Sequence, residues 1–362
     1  NKKEFRELFL RSVWLRLRSD VPTGSCLSGG LDSSAIVCAV NKVSDREHEQ
    51  HTFSFCAGEK KIDEKEYMEE VVKETEVIPH YVSAERNDVK ELFEELVYIQ
   101  EEPFLSASIM AGYLVYKEAG RHGVKVLLDG QGADELLCGY RKSRIYYIKR
   151  LLKNRRIFRA LEELILSISQ VKTSFDIKDD IQKLKRILSV KNRNEENKYL
   201  EKYSVGDLPG YNTGTDFQYN DVYIISLPVL LRYADRNSMA VSVESRLPFL
   251  DYKFAEFCAG LSLSQKISRG YSKAILRESV YLPKKIRKRK DKLGFIAPEK
   301  RWLRKDEAYF KGFFMSSDFR AGRYVKREKV LKDWDKLLAG KDENLLFRMI
   351  SLEAWMQKFN VQ

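Results

Sequence analysis

Apolar residues recur at helical spacing from the start of the chain. In "EFRELFLRSVWLRLR", Phe5, Leu8, Phe9, Val13 and Leu15 fall near one face, which predicts an amphipathic helix. Short apolar runs then alternate with longer amphipathic ones. Residues 24–27, "HTFSFCA", "HYVSA" and "VKVLLDG" read as strands. Residues 33–40, "DEKEYMEEVVKETE", "NDVKELFEELVYIQ" and residues 107–119 read as helices. The acids opening the second of these suit a helix N-terminus, and Asn87 caps the third. Strands alternating with helices imply an α/β fold with a parallel sheet covered on both faces.

The texture changes after Tyr140. Residues 141–214 are charged and helical in pattern, with no clear strand, and "LPGYNTGT" at 208–215 is a turn-rich break. Helical patterns dominate from there, ending in "ENLLFRMISLEAWMQKFNV". The expected organisation is an α/β core over 1–140, a charged helical insertion over 141–215, and a mainly helical part over 216–362. The 362 residues and 43% hydrophobic content suffice for one large domain or two ordinary ones. No window has the apolar length of a membrane span, and no signal peptide opens the chain. Asn1 in place of Met leads to the expectation of a fragment, a processed chain or a trimmed one.

Charge and cysteine usage narrow the classes. A formal charge of +12 fits nucleic acid, a pocket for a polyanionic small molecule, or a merely basic surface. The five cysteines are odd in number and form no C-x-x-C pair. Reduced thiols in a cytoplasmic protein are therefore expected, with neither a disulfide framework nor a zinc site. His48 and His51 lie three apart with no further ligand beside them, so a solvated surface is expected there rather than a metal.

The stretch "SCLSGGLDSSA" at residues 25–35 carries the first chemistry. A Gly-rich turn between a strand and a helix aims N–H groups and the helix dipole at an anion. It is not the Walker loop G-x-x-x-x-G-K-S/T, because the lysine is replaced by Asp32. A carboxylate beside phosphate repels it unless a cation lies between them. Magnesium, which takes one or two carboxylates plus phosphate oxygens, resolves the conflict and calls for a second acid. "VLLDGQGADELLCGY" supplies it. An apolar strand ends in Asp129, Gly130, Gln131 and Gly132, and a helix opens with Asp134 and Glu135. Asp134 is the expected partner of Asp32 on Mg²⁺.

Five motifs occur in one order: "SDVPTGSCLSGGLDSS", "LLDGQGADELLCGY", "LRYADRNSMAVSVESRLPFLD", "SKAILRES" and "RKRKDKLGFIAPEKRWL". Together they resemble the synthetase domain of glutamine-dependent asparagine synthetases. These are PP-loop ATP pyrophosphatases, related to β-lactam synthetase and lasso-peptide cyclases. The resemblance implies a PP-loop (adenine nucleotide α-hydrolase-like) core with an added helical region. It also implies a reaction: ATP adenylates the β-carboxylate of aspartate, pyrophosphate leaves, and ammonia displaces AMP. Carried onto this sequence, Ser28, Gly29, Gly30, Asp32, Ser33 and Ser34 would bind the pyrophosphate portion. Leu27, Phe55, Asp129 and Gly130 would border the adenosine, and Asp32 and Asp134 would hold Mg²⁺. Lys292, in the basic run "KKIRKRKDK", would stabilise charge on the α-phosphate, whereas Lys284, Lys285 and Lys288 read as a solvated face. Asp235, Arg236, Glu244, Arg246 and Asp251 sit among apolar residues, so pairing is expected. Relatives place a substrate-facing loop at Glu101, Glu102 and Ser106.

The chain departs from the family in two places. Glutamine-dependent members carry an upstream amidohydrolase domain that begins with a nucleophilic Cys, and this sequence opens directly on the synthetase part. The ammonia donor is thus expected to be a glutaminase domain outside it. Many asparagine synthetases also read S-G-E-G-x-D-E where this chain has Asp129 and Gln131, and an amide cannot act as a general base. The alternative is the same chemistry on another carboxylate, in a sugar or natural-product pathway. A tRNA-modifying PP-loop enzyme is a more distant reading, because no suitable cysteine pair is present. No nucleic-acid or membrane partner is favoured, and a homodimer is compatible with the sequence.

Overall fold

The computed structural model describes residues 1–44, 49–59, 62–83, 89–168, 198–201, 217–290, 295–340 and 344–362. The expectations placed on His48, Asn87, Lys292 and residues 208–215 lie outside them.

The opening helix α1, Lys2–Leu17, buries Phe5, Phe9, Ser12 and Val13. Phe5 meets Phe254 edge-on at 5.0 Å, and Phe9 packs 5.0 Å from Phe249. Each such side chain contributes about 1.5–3 kcal/mol by leaving water. The α/β part then runs β1 (Thr23–Cys26), α2 (Leu31–Val43), β2 (Gln50–Cys56), α3 (Lys65–Glu74), β3 (Val77–Ser83), α4 (Val89–Gln100), α5 (Ser108–Arg121), β4 (Val126–Leu128) and α6 (Ala133–Leu136). Helices α7 (Arg141–Lys153) and α8 (Ile157–Ile168) follow.

A fifth strand, β5 (Glu244–Arg246), completes the sheet in the order β3-β2-β1-β4-β5, with every pairing parallel. The α/β expectation of a PP-loop-type core holds. The hydrophobic pattern gave no sign of β5. Its residues Glu244, Ser245 and Arg246 form no apolar run, and the strand is defined by its register against Val126, Leu127 and Leu128. The part beyond residue 216, expected to be mainly helical, thus also supplies an edge strand of the sheet.

Two apolar cores cover the sheet. One joins Phe53 and Phe55 to α4, α5 and the C-terminal helix Leu345–Lys358. The other joins Leu27, Val126 and Leu128 to α1, α2 and residues around Phe249 and Ile286. Strand order reverses at the β1/β4 boundary, so the turns after these two strands open onto one crevice. In open α/β sheets that crevice is where ligands bind.

His51, His80 and His122 gather on the β2–β3 side of the sheet. The sequence left His51 on a solvated surface, but it is half-buried, with Nδ1 2.9 Å from His80 Nε2. His80 stacks on Phe53 at 4.7 Å and lies tilted against His122 at 4.0 Å, and His122 reaches Glu118 at 3.2 Å. Burial, then the neighbouring His122 and His51, hold His80 below the usual imidazole range, against the pull of Glu118. A lowered folded-state pKa means that the unfolded chain takes up the proton first as pH falls below about 6.5. Urea unfolding should therefore show stability lost between pH 7.5 and pH 5, and His80→Phe should flatten that limb. Identical pH slopes for the two proteins would contradict it.

Candidate active site

The turn after β1 is held by its own serine hydroxyls. Leu27 is buried, and its N–H donates to Phe53 O at 2.9 Å. The Ser28 N–H donates to Ser33 Oγ at 3.1 Å, and the Ser28 and Ser33 hydroxyls lie 3.0 Å apart. Gly29 adopts φ +73°, and a Cβ there would stand 2.8 Å from Tyr67 Cβ, so no other residue fits. Gly30 caps α2, which begins at Leu31, two residues earlier than expected. Asp32 and Ser33 therefore lie in its first turn, whose N–H groups have no intrahelical acceptor.

Arg289 clamps this turn from outside. Its guanidinium is buried, donates to Gly29 O at 3.0 Å, lies 3.8 Å over the Tyr67 ring and pairs with Glu64. Part of the basic run is thus structural. Lys284 and Lys288 are exposed, as the sequence suggested, and Lys285 pairs with Glu66.

The turn after β4 meets the first one directly. A Cβ on Gly130 would lie 3.1 Å from Asp32 Cβ. Asp129 accepts from Tyr116 Oη at 3.1 Å, and burial raises its carboxyl above the usual range despite that bond and the Gly130 N–H. Gln131 is partly exposed between Gly130 and Gly132. Gly132 has φ +90°, and a Cβ there would collide with Leu250 at 2.4 Å. Asp134 follows in the first turn of α6, where Glu135 is buried and accepts from Tyr140 Oη.

Asp32 and Asp134 converge on one ammonium. Lys273 Nζ is 2.5 Å from Asp32 Oδ2 and 2.6 Å from Asp134 Oδ1. Burial alone would lower the lysine pKa, but the two carboxylates outweigh it and raise it. Arg277 stands nearby. Burial pushes its guanidinium down to about 10, against the pull of Asp32. Gly139 makes room for the arrangement, since a Cβ there would sit 1.8 Å from Asp134 Oδ1 and 2.2 Å from Lys273 Cε.

The donor set suits magnesium. Both oxygens that meet on Lys273 are hard carboxylate donors, at a position that already faces a cationic ammonium. Among the described residues no group of three or more His, Cys, Asp or Glu could hold a metal ion. Two carboxylates completed by phosphate oxygens is a Mg²⁺ pattern, not a zinc one.

On the other side of the crevice Phe55 is buried, with Phe295 at 5.9 Å and Trp302 at 6.3 Å. This brings Phe295, the last residue of "KLGF", against Phe55, while Lys292 lies outside the described residues. Glu101 and Glu102 are tied to Arg236 at 2.6 Å and Arg232 at 3.3 Å. Asn237 spans Gln100 and Ile109. The helix Leu227–Met239 thus braces the loop that carries Ser106. The expected pairings of Arg236, Glu244, Arg246 and Asp251 are present, the last with Arg16 at 3.1 Å, while Asp235 is exposed. Glu299 accepts from the Ala107 N–H at 3.0 Å, and burial pushes its carboxyl up to about 7. A separate cleft of about 180 Å³ beside Trp14, Ser25 and Gln50 opens at the other end of the strands.

The structure brings together Ser28, Gly29, Gly30, Asp32, Ser33, Asp129, Gly130, Gln131 and Asp134. Leu27, Ser34 and Phe55 lie buried behind them. Sequence reasoning quoted "SKAILRES" and the basic run without assigning Lys273 or Arg289. The available signal was a lysine next to the apolar "AIL", a placement that calls for a buried partner.

Comparison with known proteins identifies the family. The sequence model of the asparagine synthase family matches residues 4–357. The chain is 29% identical to asparagine synthetase [glutamine-hydrolyzing] 1 of Bacillus subtilis, over 94% of this chain and 56% of that protein. It is 37% identical to putative asparagine synthetase [glutamine-hydrolyzing] 2 of Methanocaldococcus jannaschii, over 43% of this chain and 30% of that protein. A putative asparagine synthetase [glutamine-hydrolyzing] of Mycobacterium bovis is 26% identical over 95% of this chain and 56% of its own length. The chain thus spans little more than half of the relatives it matches most fully.

The crowding at Gly139 predicts opposite signs for one substitution at two positions. Gly139→Ala should cost about 1–3 kcal/mol of unfolding free energy in urea, as overpacking does. Gly312→Ala, in a helix with nothing within 4 Å of the new methyl, should be neutral or stabilise by up to about 1 kcal/mol. Equal effects at the two positions would contradict the packing described.

Proposed function

The chain belongs to the asparagine synthase family, and we propose that it makes an amide from a carboxylate at the expense of ATP. A carboxylate oxygen attacks the α-phosphorus, the bond to pyrophosphate breaks, and an acyl-adenylate forms. Ammonia then attacks the acyl carbon, the carbon–oxygen bond breaks, and AMP leaves. The observation that carries this reading is the meeting of Asp32 and Asp134 beside the glycine-rich turn and the first turn of α2 at the β1/β4 crevice.

Each residue has a role in that scheme. The turn from Ser28 to Ser34 receives the pyrophosphate portion through N–H groups, hydroxyls and the α2 dipole. Leu27, Phe55, Asp129 and Gly130 border the adenosine. Asp32 and Asp134 would hold Mg²⁺, which when bound screens the charge gathering on the departing pyrophosphate. Lys292 stabilises charge on the α-phosphate. The preferred acid is aspartate, adenylated at its β-carboxylate. The ammonia comes from glutamine through a domain outside this sequence, in line with the names of the relatives. No helix among the described residues is long and apolar enough to cross a membrane, and all five cysteines are free. We place the protein in the cytoplasm.

One observation favours a second acid. Gln131 occupies the turn where many relatives have Glu, and an amide cannot accept the proton of an attacking amine. A member acting on a different carboxylate, with Asp129 beside Gln131, accommodates that change. Thiolating tRNA chemistry is poorly served, because burial pushes the thiols of Cys38, Cys138 and Cys258 up to about 12.

Pyrophosphate release from ATP and Mg²⁺ with ammonium chloride should rise when aspartate is added, with asparagine among the products. No stimulation by aspartate, from protein that still binds ATP, would move the assignment to another carboxylate. Asp32→Asn should lower pyrophosphate release by about 10²–10³-fold while leaving thermal unfolding cooperative. An active, magnesium-dependent Asp32→Asn protein would sink the metal assignment.

A further inference from the structure

We propose that Lys273 is a built-in counter-cation that holds the position between Asp32 and Asp134, so that a divalent ion enters only together with a triphosphate. The proposal deepens the reading of Asp32 and Asp134 as magnesium ligands and depends on it. Three features argue for a position dedicated to this lysine. Its side chain is only 4% exposed, whereas Asp32 and Asp134 keep 20% and 21%. The ammonium therefore approaches from inside the protein, while the two aspartate side chains retain some exposure. Its backbone sits at φ 54°, a left-handed conformation that L-residues adopt at a cost. Gly139 leaves the space that its Cε and the Asp134 carboxylate occupy.

Charge balance then decides what can bind. Two carboxylates facing Lys273, with Arg277 beside Asp32, leave little net negative charge to attract a bare divalent ion. The ion would also have to displace a buried ammonium that no diffusion step can remove. A triphosphate brings its own negative charge, which can accept both the metal and the ammonium. Lysine contacts released from Asp32 or Asp134 then pass to phosphate oxygens. Ordered entry of this kind keeps the turn assembled in the nucleotide-free protein without recruiting stray metal.

Mn²⁺ binding, followed by loss of its free-ion EPR signal, tests this without any turnover. The whole chain is titrated with Mn²⁺ alone and with Mn²⁺ plus α,β-methylene-ATP. The wild type should bind Mn²⁺ alone at least tenfold more weakly than Lys273→Met does. Lys273→Arg, which keeps the charge, should resemble the wild type, and adding Asp32→Asn to Lys273→Met should abolish the gain. A merely structural lysine would make the Met and Arg variants alike. Equal Mn²⁺ affinity in the wild type and Lys273→Met would overturn the placeholder role. Should Lys273→Met not fold, wild-type protein that binds Mn²⁺ equally tightly with and without the analogue, through Asp32, would overturn it as well. Ternary binding unaffected by Asp32→Asn would instead overturn the magnesium reading itself.

Discussion

Two carboxylates brought to one point of a protein interior need a cation between them. Asp32 and Asp134 reach that point from turns after neighbouring parallel strands. At roughly 5 Å and an effective dielectric of about 20, unit charges of like sign repel by about 3 kcal/mol. Lys273, touching both, turns that repulsion into attraction. The placement of the strands, the glycines of both turns and the left-handed backbone at Lys273 all have to agree for the triad to exist.

The supporting structure is arranged around that requirement. Gly130 lets the β4 turn close onto Asp32, Gly132 lets α6 start against Leu250, and Gly139 leaves space beside Asp134. Arg289 fixes the Gly29 carbonyl from outside, which holds the first turn in place. Beneath this layer, the two apolar cores support the sheet, and that support positions the groups lining the crevice. The helix Leu227–Met239 performs the same service for the Glu101–Glu102 loop through arginines and an asparagine.

Much of this was legible in the sequence because it is local. Alternating apolar runs mark β1 to β4, and S-G-G-x-D-S-S and D-G-Q-G-A-D-E each place glycines and acids within one turn. What escaped is long-range. β5 has no apolar run, because its identity comes from pairing with β4 across more than a hundred residues. Lys273 stands 241 positions from Asp32, and Arg289 stands 260 from Gly29, so no spacing rule connects them. The His51–His80–His122 cluster was missed for the same reason: each histidine is unremarkable until the sheet assembles.

The central claim is that a carboxylate of the substrate attacks the α-phosphorus of ATP. The most direct measurement follows oxygen. Aspartate labelled with ¹⁸O in its β-carboxylate is turned over with ATP, Mg²⁺ and ammonia, and the nucleotide product is read by mass spectrometry. The account predicts one ¹⁸O in AMP, since the oxygen that attacks phosphorus leaves with it when nitrogen takes its place. Label in inorganic phosphate, with ADP as the nucleotide product, would contradict it, because attack would then have occurred at the γ-phosphorus.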